Sequence, residues 1–207
     1  MTIIISLLAV VLFSTLFLVN GIGGFDFWWW MAANLVLLIT LVACFFSEWR
    51  KALRSDLTTA VGRKIALGLL SALALYLVFA IGNILLRRLL PVSGSDIGEI
   101  YQYRSTAGTL RIGLLMLFII GPGEELFWRG FIQDRLQIRL GRPAGFLAGV
   151  FFYTVIHLGT GNPVLMLAAA VCGLFWGYFY YRTGSLLLNC VSHTAWDLAV
   201  FLIFPLL

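Results

Sequence analysis

The amino-acid sequence predicts an all-α polytopic membrane protein of about seven transmembrane helices, with a polar site enclosed by the C-terminal helices. Of its residues, 61% are hydrophobic and 11% are charged, whereas about a quarter of the residues in a soluble domain are charged. Long stretches contain no Asp, Glu, Lys or Arg. The spans are expected to be helical because an isolated sheet cannot satisfy its backbone hydrogen bonds in lipid.

The uncharged stretches match the ~20 residues that cross a hydrocarbon core as a helix. In chain order, the predicted spans are Met1 to Phe25, Phe27 to Ser47, Ile65 to Leu86, a helix around Leu110 to Ile120, Pro143 to Tyr181 in two parts, and the stretch from about Ser185 to the C-terminus. Pro143 to Tyr181 is too long for one helix, and the glycines and proline of segment 159–163 divide it.

Arginine and lysine residues concentrate in the loops after the second, fourth and sixth spans, which predicts a cytoplasmic N-terminus. Those loops hold Arg50, Lys51, Arg54, Arg63, Lys64, Arg129, Arg135, Arg139, Arg142 and Arg182, against Arg87, Arg88, Arg104 and Arg111 on the other side. The basic residues lie in short loops beside the spans, where membrane orientation and anionic lipid headgroups favour them, and this explains the net charge of +5. The lipid bilayer is therefore an expected partner, and no nucleic acid is.

The sequence forms a single integral membrane domain, residues 1–207, with an uneven distribution of polar chemistry. Residues 1–110 supply supporting helices, and residues 111–207 form the core that carries the polar groups. In this core, Gly145-xxx-Gly149 and Gly173-xxx-Gly177 place small residues on one helix face and favour close helix packing. Trp28-Trp29-Trp30 are expected to anchor a helix end at the membrane interface, with an aromatic substrate surface as the alternative. Segment 91–105 is expected to be a surface loop, with a lid over the site as the alternative.

Seven ionisable or amide side chains fall inside stretches that are otherwise apolar enough to cross a bilayer. They are Glu124, Glu125, Arg129, His157, Asn189, His193 and Asp197, and they include both histidines of the chain. A charge at membrane depth costs at least ~2.5–3.5 kcal/mol, so such groups face one another or a wet cavity. The cluster therefore predicts a functional site.

The two adjacent glutamates are expected to have different roles. Glu125 and Arg129 are i,i+4 neighbours on a helix, with the acid on the N-terminal side, which favours an ion pair. Glu124 points about a quarter-turn away and is not neutralised by that pair. Segment 121–123, Gly-Pro-Gly, can break the preceding span and open backbone around the glutamates. An unpaired carboxylate in a desolvated setting suits a general base for water. A purely structural Glu125–Arg129 pair would leave Glu124 unexplained.

The remaining polar residues form a stripe and a flanking group. Asn189, His193 and Asp197 lie at i, i+4 and i+8, so they share one face of the last helix. His157 lies near the end of its span, one turn after Tyr153. A single polar residue of this kind often only forms a hydrogen bond between two helices. Polar faces on several helices must meet one another, however, which favours a common site.

The residue types leave two mechanisms open. In one, Glu124 deprotonates a water molecule with help from His157, while His193 stabilises an oxyanion. In the other, Glu124, His157 and His193 bind a zinc ion that acidifies the water, although the HExxH signature is absent. A Cys190–His193 nucleophile is disfavoured because Cys190 lies off the polar stripe. We prefer the mechanism without a cofactor, since a glutamate pair bound to arginine is poorly arranged to present both carboxylates to one cation.

Three motifs in this order resemble the CaaX protease and bacteriocin-processing family of intramembrane endopeptidases. They are EExxxR (Glu124, Glu125, Arg129), an aromatic residue four positions before a histidine (Tyr153, His157), and a histidine four positions before an acid or amide (His193, Asp197). The resemblance covers roughly residues 121–197. It implies peptide-bond hydrolysis in a membrane-enclosed cavity, by either of the two mechanisms above.

The resemblance also implies roles for the six motif residues. Glu124 would be the base, His157 its partner, Glu125 and Arg129 the brace, and His193 with Asp197 the oxyanion side. Two positions depart from the family pattern. Tyr153 replaces the usual phenylalanine and adds a hydroxyl. Asp197 stands where many members have asparagine, and an ionised aspartate cannot donate to an oxyanion, so Asp197 would be protonated, orient His193 or bind a metal.

The substrate implied by the resemblance is a membrane-associated peptide or protein precursor. The short chain and compact loops resemble the bacterial relatives, so a bacterial inner membrane is the expected location and a prenylated substrate is not predicted. A small transporter, proton relay or scaffold is the competing class. Transporters often contain inverted repeats, and the polar residues here lie only in the second half of the chain.

Overall fold

The computed structural model describes residues 1–22, 24–89 and 93–206, and nearly all of them are helical. In this part of the chain, six helices are long and apolar enough to cross a membrane, or seven if one bent pair forms a single span. The predicted all-α polytopic fold is therefore confirmed. The strands in the described residues, β1 (Gly21–Ile22) and β2 (Phe25–Asp26), form one short antiparallel pair.

Four helices make up the N-terminal half. They are α1 (Thr2–Val19), α2 (Phe27–Phe45), α3 (Ser47–Thr58) and α4 (Val61–Leu89). Asp26 begins α2 as an N-cap, because its Oδ1 accepts hydrogen bonds from the backbone N–H groups of Trp28 and Trp29. The short helix α3 is charged and connects two spans. Its Asp56 accepts a hydrogen bond from the backbone N–H of Leu187, at the start of the last span.

A helix of ten residues lies where a surface loop was expected. Helix α5 (Ser93–Gln102) is followed by a 3₁₀ turn, Tyr103–Thr106, whereas residues 90–92 lie outside the described part of the chain. The loop prediction is therefore wrong for residues 93–105 of segment 91–105. The polar composition of this segment suggested a loop, but the helix has one apolar face. On that face, Ile97 is buried and Ile100 lines the interior cavities. Such an i,i+3 pair lies on one side of a helix.

The central span is a single long helix, α6 (Thr109–Leu140), which bends by 99° from the segment that precedes it. It includes two π-helical stretches, Met116–Ile120 and Glu125–Gln133. The expected break at Gly121-Pro122-Gly123 does not occur, since these residues are helical. The wider turn before Pro122 accommodates a residue without an N–H. Gly121 permits close packing, because a Cβ there would lie 2.5 Å from Oγ1 of Thr194.

The C-terminal part contains three further helices. They are α7 (Arg142–Ile156), which ends in a 3₁₀ turn (His157–Thr160), α8 (Pro163–Thr183), and α9 (Leu186–Asp197), which continues as a π-helical stretch (Leu198–Ile203). The predicted division of segment 143–181 is confirmed: Gly161, with φ of 66°, ends the turn. Pro163 then begins α8, as its fixed φ favours.

Glycines bring these helices close together around the site. A Cβ on Gly149 would lie 3.1 Å from Cβ of Gln133, and one on Gly177 would lie 3.0 Å from the ring of Phe146. The prediction that these small residues allow close packing is confirmed. On the other side, α9 packs against α4. A hydrogen bond of 2.8 Å between the Ser71 and Ser192 hydroxyls joins them.

Candidate active site

Four of the six predicted site residues line one interior cavity of about 140 Å³. They are Glu124, His157, His193 and Asp197, from α6, the turn after α7, and α9. Apolar side chains form most of the remaining wall of this active-site cavity. Glu125 and Arg129 lie behind it and are almost completely buried. The volume exceeds the ~10–15 Å³ that one water molecule needs, so the cavity has room for water and part of a substrate.

Glu124 is the carboxylate that faces the active-site cavity. Its side chain is buried, with 6% of its surface exposed. The Tyr153 hydroxyl donates a hydrogen bond of 2.7 Å to Oε2 of Glu124. The same oxygen lies 4.0 Å from Nε2 of His193, which is too far for a direct hydrogen bond but within reach through one bridging water or substrate atom.

Glu125 is fully enclosed, and its oxygens are occupied by protein donors. Oε1 accepts from Nη1 of Arg129 at 3.0 Å and from Nδ1 of His193 at 2.7 Å. Oε2 accepts from Nδ2 of Asn189 at 3.0 Å. The predicted pairing of Glu125 with Arg129 is therefore present. Asn189, the first residue of the polar stripe, donates hydrogen bonds to this carboxylate and to the Trp176 carbonyl oxygen. It does not line the cavity.

The Arg129 guanidinium links the two central helices and supports an aromatic wall. Its Nη2 donates to the Cys172 carbonyl on α8 at 3.4 Å. Its charged centre lies 4.4 Å from the ring centroid of Tyr153 and 5.6 Å from that of Trp176, within the range of cation–π attraction. Because Arg129 is bound on several sides, it fixes both Glu125 and the ring that carries the Tyr153 hydroxyl.

His193 is held in one orientation by two neighbours. Its ring stacks on Trp176 with centroids 3.7 Å apart and an interplanar angle of 19°. Its Nδ1 is bound to Glu125, which accepts, so Nδ1 carries a proton. Nε2 is then the atom that faces the cavity, 3.6 Å from Oδ1 of Asp197. The last two residues of the predicted polar stripe thus meet at this nitrogen.

His157 is joined to Glu124 through Tyr153. Nδ1 of His157 lies 2.8 Å from the Tyr153 carbonyl oxygen, which can only accept, so Nδ1 carries a proton. In the neutral ring, Nε2 is therefore the proton acceptor. The ring packs against Phe17, with centroids 4.9 Å apart. One residue, Tyr153, thus positions the cavity-facing carboxylate with its hydroxyl and a cavity-lining histidine with its backbone.

The contacts of three aromatic side chains at the site were not predicted. Trp176 carries the His193 ring, and the Tyr153 hydroxyl binds Glu124. Trp28 was expected at the membrane interface, but it is 3% exposed, lines the cavity and donates Nε1 to the Tyr103 carbonyl at 2.9 Å. The anchor prediction is wrong for Trp28. The flanking glycines of Gly173-xxx-Gly177 were the one signal that α8 approaches its neighbours closely around Trp176.

The alternative of a zinc ion requires three side chains around one point. In residues 1–22, 24–89 and 93–206, no group of three or more His, Cys, Asp or Glu side chains has a metal-binding arrangement. Nδ1 of His193 and Nδ1 of His157 both carry protons, so their Nε2 atoms would be the metal ligands, as is usual for histidines bound to zinc. Glu125 is occupied by Arg129, His193 and Asn189 and could not join them without losing these contacts. The zinc set Glu124, His157 and His193 therefore stays a prediction, which chelation tests.

Two further cavities adjoin the active-site cavity. The apolar cavity, about 200 Å³, lies between α4, α5, α8 and α9 and shares Trp196 and Phe201 with it. The polar cavity, about 390 Å³, lies at the end of the bundle beneath α5 and shares Tyr103 with it. The site is therefore bordered on one side by an apolar space and on another by a polar one.

Residues 106–199 match a family model described as type II CAAX prenyl endopeptidase Rce1-like. The matched segment includes α6 to α9 nearly completely and all six predicted site residues. The match confirms the family resemblance that the three motifs predicted. No curated protein and no solved structure matches the chain.

Proposed function

We propose that this protein hydrolyses a peptide bond by a glutamate-activated water. Its residues 106–199 match the model of the Rce1-like CAAX prenyl endopeptidases. The observation that carries this proposal is the pair formed by Glu124 and His193. A carboxylate oxygen and an imidazole nitrogen face one cavity 4.0 Å apart. That spacing leaves a water molecule or a substrate carbonyl within reach of both.

In the proposed first step, Glu124 acts as the general base. Its carboxylate takes one proton from water as the water oxygen attacks the scissile carbonyl carbon. The hydrogen bond from Tyr153 holds Oε2 in place, so the carboxylate meets the water in a fixed direction. His157, whose Nε2 accepts in the neutral ring, lines the same cavity and assists proton transfer.

In the proposed second step, His193 stabilises the oxyanion and the leaving amine receives the proton. Nε2 of the His193 imidazolium donates a hydrogen bond to the carbonyl oxygen as it becomes negative. Asp197, 3.6 Å away, supports this imidazolium and orients it, so it need not donate to the oxyanion itself. The intermediate then collapses, the C–N bond breaks, and the proton held by Glu124 passes to the nitrogen.

The protein is an integral membrane protein of a family that acts on membrane-associated substrates. We place its N-terminus in the cytoplasm and the protein in a bacterial inner membrane. The basic helix α3 supports this orientation, because it lies at the bundle end where α9 begins, joined there by Asp56. The apolar cavity beside the site would accommodate an apolar part of a protein or peptide precursor.

The test compares membranes that contain the wild-type protein with membranes that contain Glu124→Ala or His157→Ala. We expect a membrane-associated precursor to accumulate with both variants, and the purified variants to fail to cleave the corresponding peptide. Glu48→Ala is a matched control, since the Glu48 side chain is 75% exposed on α3. Wild-type turnover by both site variants would overturn the proposal.

A further inference from the structure

The polar cavity beneath α5 has no role in the proposed chemistry. Its volume of about 390 Å³ lies in the range of ~300–1,000 Å³ that ligand sites occupy. Its polar wall comes from four parts of the chain, namely the end of α1, α5 with the turn after it, the turn after α7, and the residue before α8. The polar side chains of this wall include Asn20, Glu99, Gln102, Thr160 and Asn162.

The polar cavity borders the place where hydrolysis would occur. Ile100, Tyr103 and Leu165 line both the polar cavity and the active-site cavity. Ile100 and Leu165 also line the apolar cavity. The three cavities therefore meet between α5 and the first turn of α8. A substrate with its scissile bond at Glu124 has a polar space on one side and an apolar space on another.

Glu99 gives the polar cavity its charge. It is the one residue with a formal charge at neutral pH among those that line the cavity in the described part of the chain. Its Oε2 accepts a hydrogen bond of 3.1 Å from Nδ2 of Asn162, which also donates to the Asp96 carbonyl at 2.9 Å. An amide donor orients the carboxylate but does not neutralise it. Amides and hydroxyls on the remaining wall suit a peptide backbone.

We infer that the polar cavity holds the hydrophilic segment of the substrate next to the scissile bond, with Glu99 favouring a lysine or arginine side chain there. This inference rests on the proposed function. A peptide segment that leaves a site at membrane depth carries unpaired backbone N–H and C=O groups, which are costly in lipid. The polar cavity can satisfy those groups. The Glu99 carboxylate, which forms no ion pair with a residue of the described ranges, attracts a cation.

The experiment uses pairs of membrane-anchored reporter peptides that differ at one position between Lys and Glu, placed in turn on either side of the scissile bond. We expect the Lys peptide of one pair to have a kcat/KM about 2- to 5-fold higher at low salt, as for a partly exposed ion pair. Glu99→Gln should remove this preference and Glu99→Lys should reverse it. Asp96→Asn is the matched control: it alters a carboxylate on the same helix that does not line the cavity, so the preference should remain.

A second measurement separates this inference from the proposed function. The same peptides are bound, without cleavage, to the Glu124→Gln variant with and without Glu99→Gln. Tighter binding of the Lys peptide that depends on Glu99 supports the polar cavity as the subsite, even if the wild-type protein cleaves neither peptide and hydrolysis is refuted. Equal binding of the two peptides, or cleavage of both at rates that Glu99→Gln does not change, would refute the subsite and leave hydrolysis standing.

Discussion

Glu124 and Glu125 are adjacent in sequence and equally deep in the protein, yet their surroundings differ. Glu125 is completely buried and binds Arg129, His193 and Asn189, so protein donors occupy both of its oxygens. Within the described residues, Glu124 has one protein donor, the Tyr153 hydroxyl, and its carboxylate lines the active-site cavity. One carboxylate is part of the framework, and the other is available for reaction.

The difference shows how one helix separates two identical side chains. Successive residues point about 100° apart around an α-helix, so Glu125 faces α9 while Glu124 faces the cavity wall formed by α7. A buried charge is tolerated only when it is paired and hydrogen-bonded. The Glu125 cluster meets that condition within the protein, whereas the Glu124 carboxylate retains capacity for a water molecule or a substrate.

Replacement of the cavity-facing carboxylate should have the largest effect on activity. We expect Glu124→Gln to lower kcat by about 10²–10⁴, the usual contribution of a general base. The amide keeps the shape of the side chain and still accepts from Tyr153, so the melting temperature in detergent should stay close to that of the wild type. Peptide cleavage and thermal unfolding of the same preparation measure both quantities.

The proposed difference in role between Glu124 and Glu125 would be wrong if Glu124→Gln unfolded the protein or retained wild-type kcat. In the first case Glu124 would be a framework residue like its neighbour, and in the second it would not be the base. Glu48→Gln on the exposed face of α3 controls for the loss of a carboxylate as such, and it should change neither kcat nor the melting temperature.

Replacement of the enclosed carboxylate should primarily affect stability. Glu125→Gln leaves the Arg129 guanidinium as an uncompensated buried charge, which typically costs about 3–5 kcal/mol. We therefore expect a melting temperature lower by roughly 10 °C, with reduced yield of monodisperse protein. Size-exclusion chromatography and thermal unfolding in detergent measure this effect.

A double variant sharpens this prediction. Glu125→Gln combined with Arg129→Met removes both charges, so it should lose less stability than the sum of the single variants. A double variant whose loss equals that sum would mean that the two residues act independently, and the account of Glu125 as the partner of Arg129 would be wrong.

Local sequence spacing was sufficient to predict part of this site. The i,i+4 spacing of Glu125 and Arg129 identified their ion pair, and the spacing of His193 and Asp197 placed both on one face of the last helix. The uncharged stretches predicted the spans because the thickness of the hydrocarbon core requires about 20 consecutive apolar residues in a helix that crosses it. Each of these features depends on the sequence of a single helix and not on how the helices pack.

The features that the sequence did not predict depend on contacts between distant segments. The Tyr153 hydroxyl reaches Glu124 across 29 positions, and Trp176 reaches His193 across 17. Such pairs depend on how the helices pack. The break expected at Pro122 failed for a similar reason, since wider helical turns and packing against Thr194 keep α6 continuous.

Removal of the Tyr153 hydroxyl should have a smaller effect than either glutamate variant. Tyr153→Phe deletes the one protein donor to Glu124 and keeps the ring beside Arg129. We expect kcat to fall about 3- to 10-fold, which corresponds to roughly 0.6–1.4 kcal/mol, the usual net contribution of one hydrogen bond, while KM stays within about 2-fold because the hydroxyl acts on the base. Steady-state kinetics with one reporter peptide separate the two parameters.

Tyr178→Phe is the matched control, because that side chain is exposed on α8 and does not line the active-site cavity. It should leave kcat and KM unchanged. An unchanged kcat in Tyr153→Phe would show that Glu124 needs no protein donor to be positioned, and the difference between the two glutamates would then rest on exposure to the cavity alone.

Chelation should have the smallest effect, and it tests whether Glu124 acts by itself. Glu125 is enclosed by Arg129, His193 and Asn189, so it cannot join Glu124 on a metal ion without losing these contacts, which favours a mechanism in which Glu124 acts without one. We therefore expect EDTA or phenanthroline to leave the rate of peptide cleavage unchanged. Activity that is lost on chelation and restored by zinc would overturn this expectation. Glu124 would then be a ligand, and the contrast with Glu125 would be between a metal-binding and a metal-excluding carboxylate.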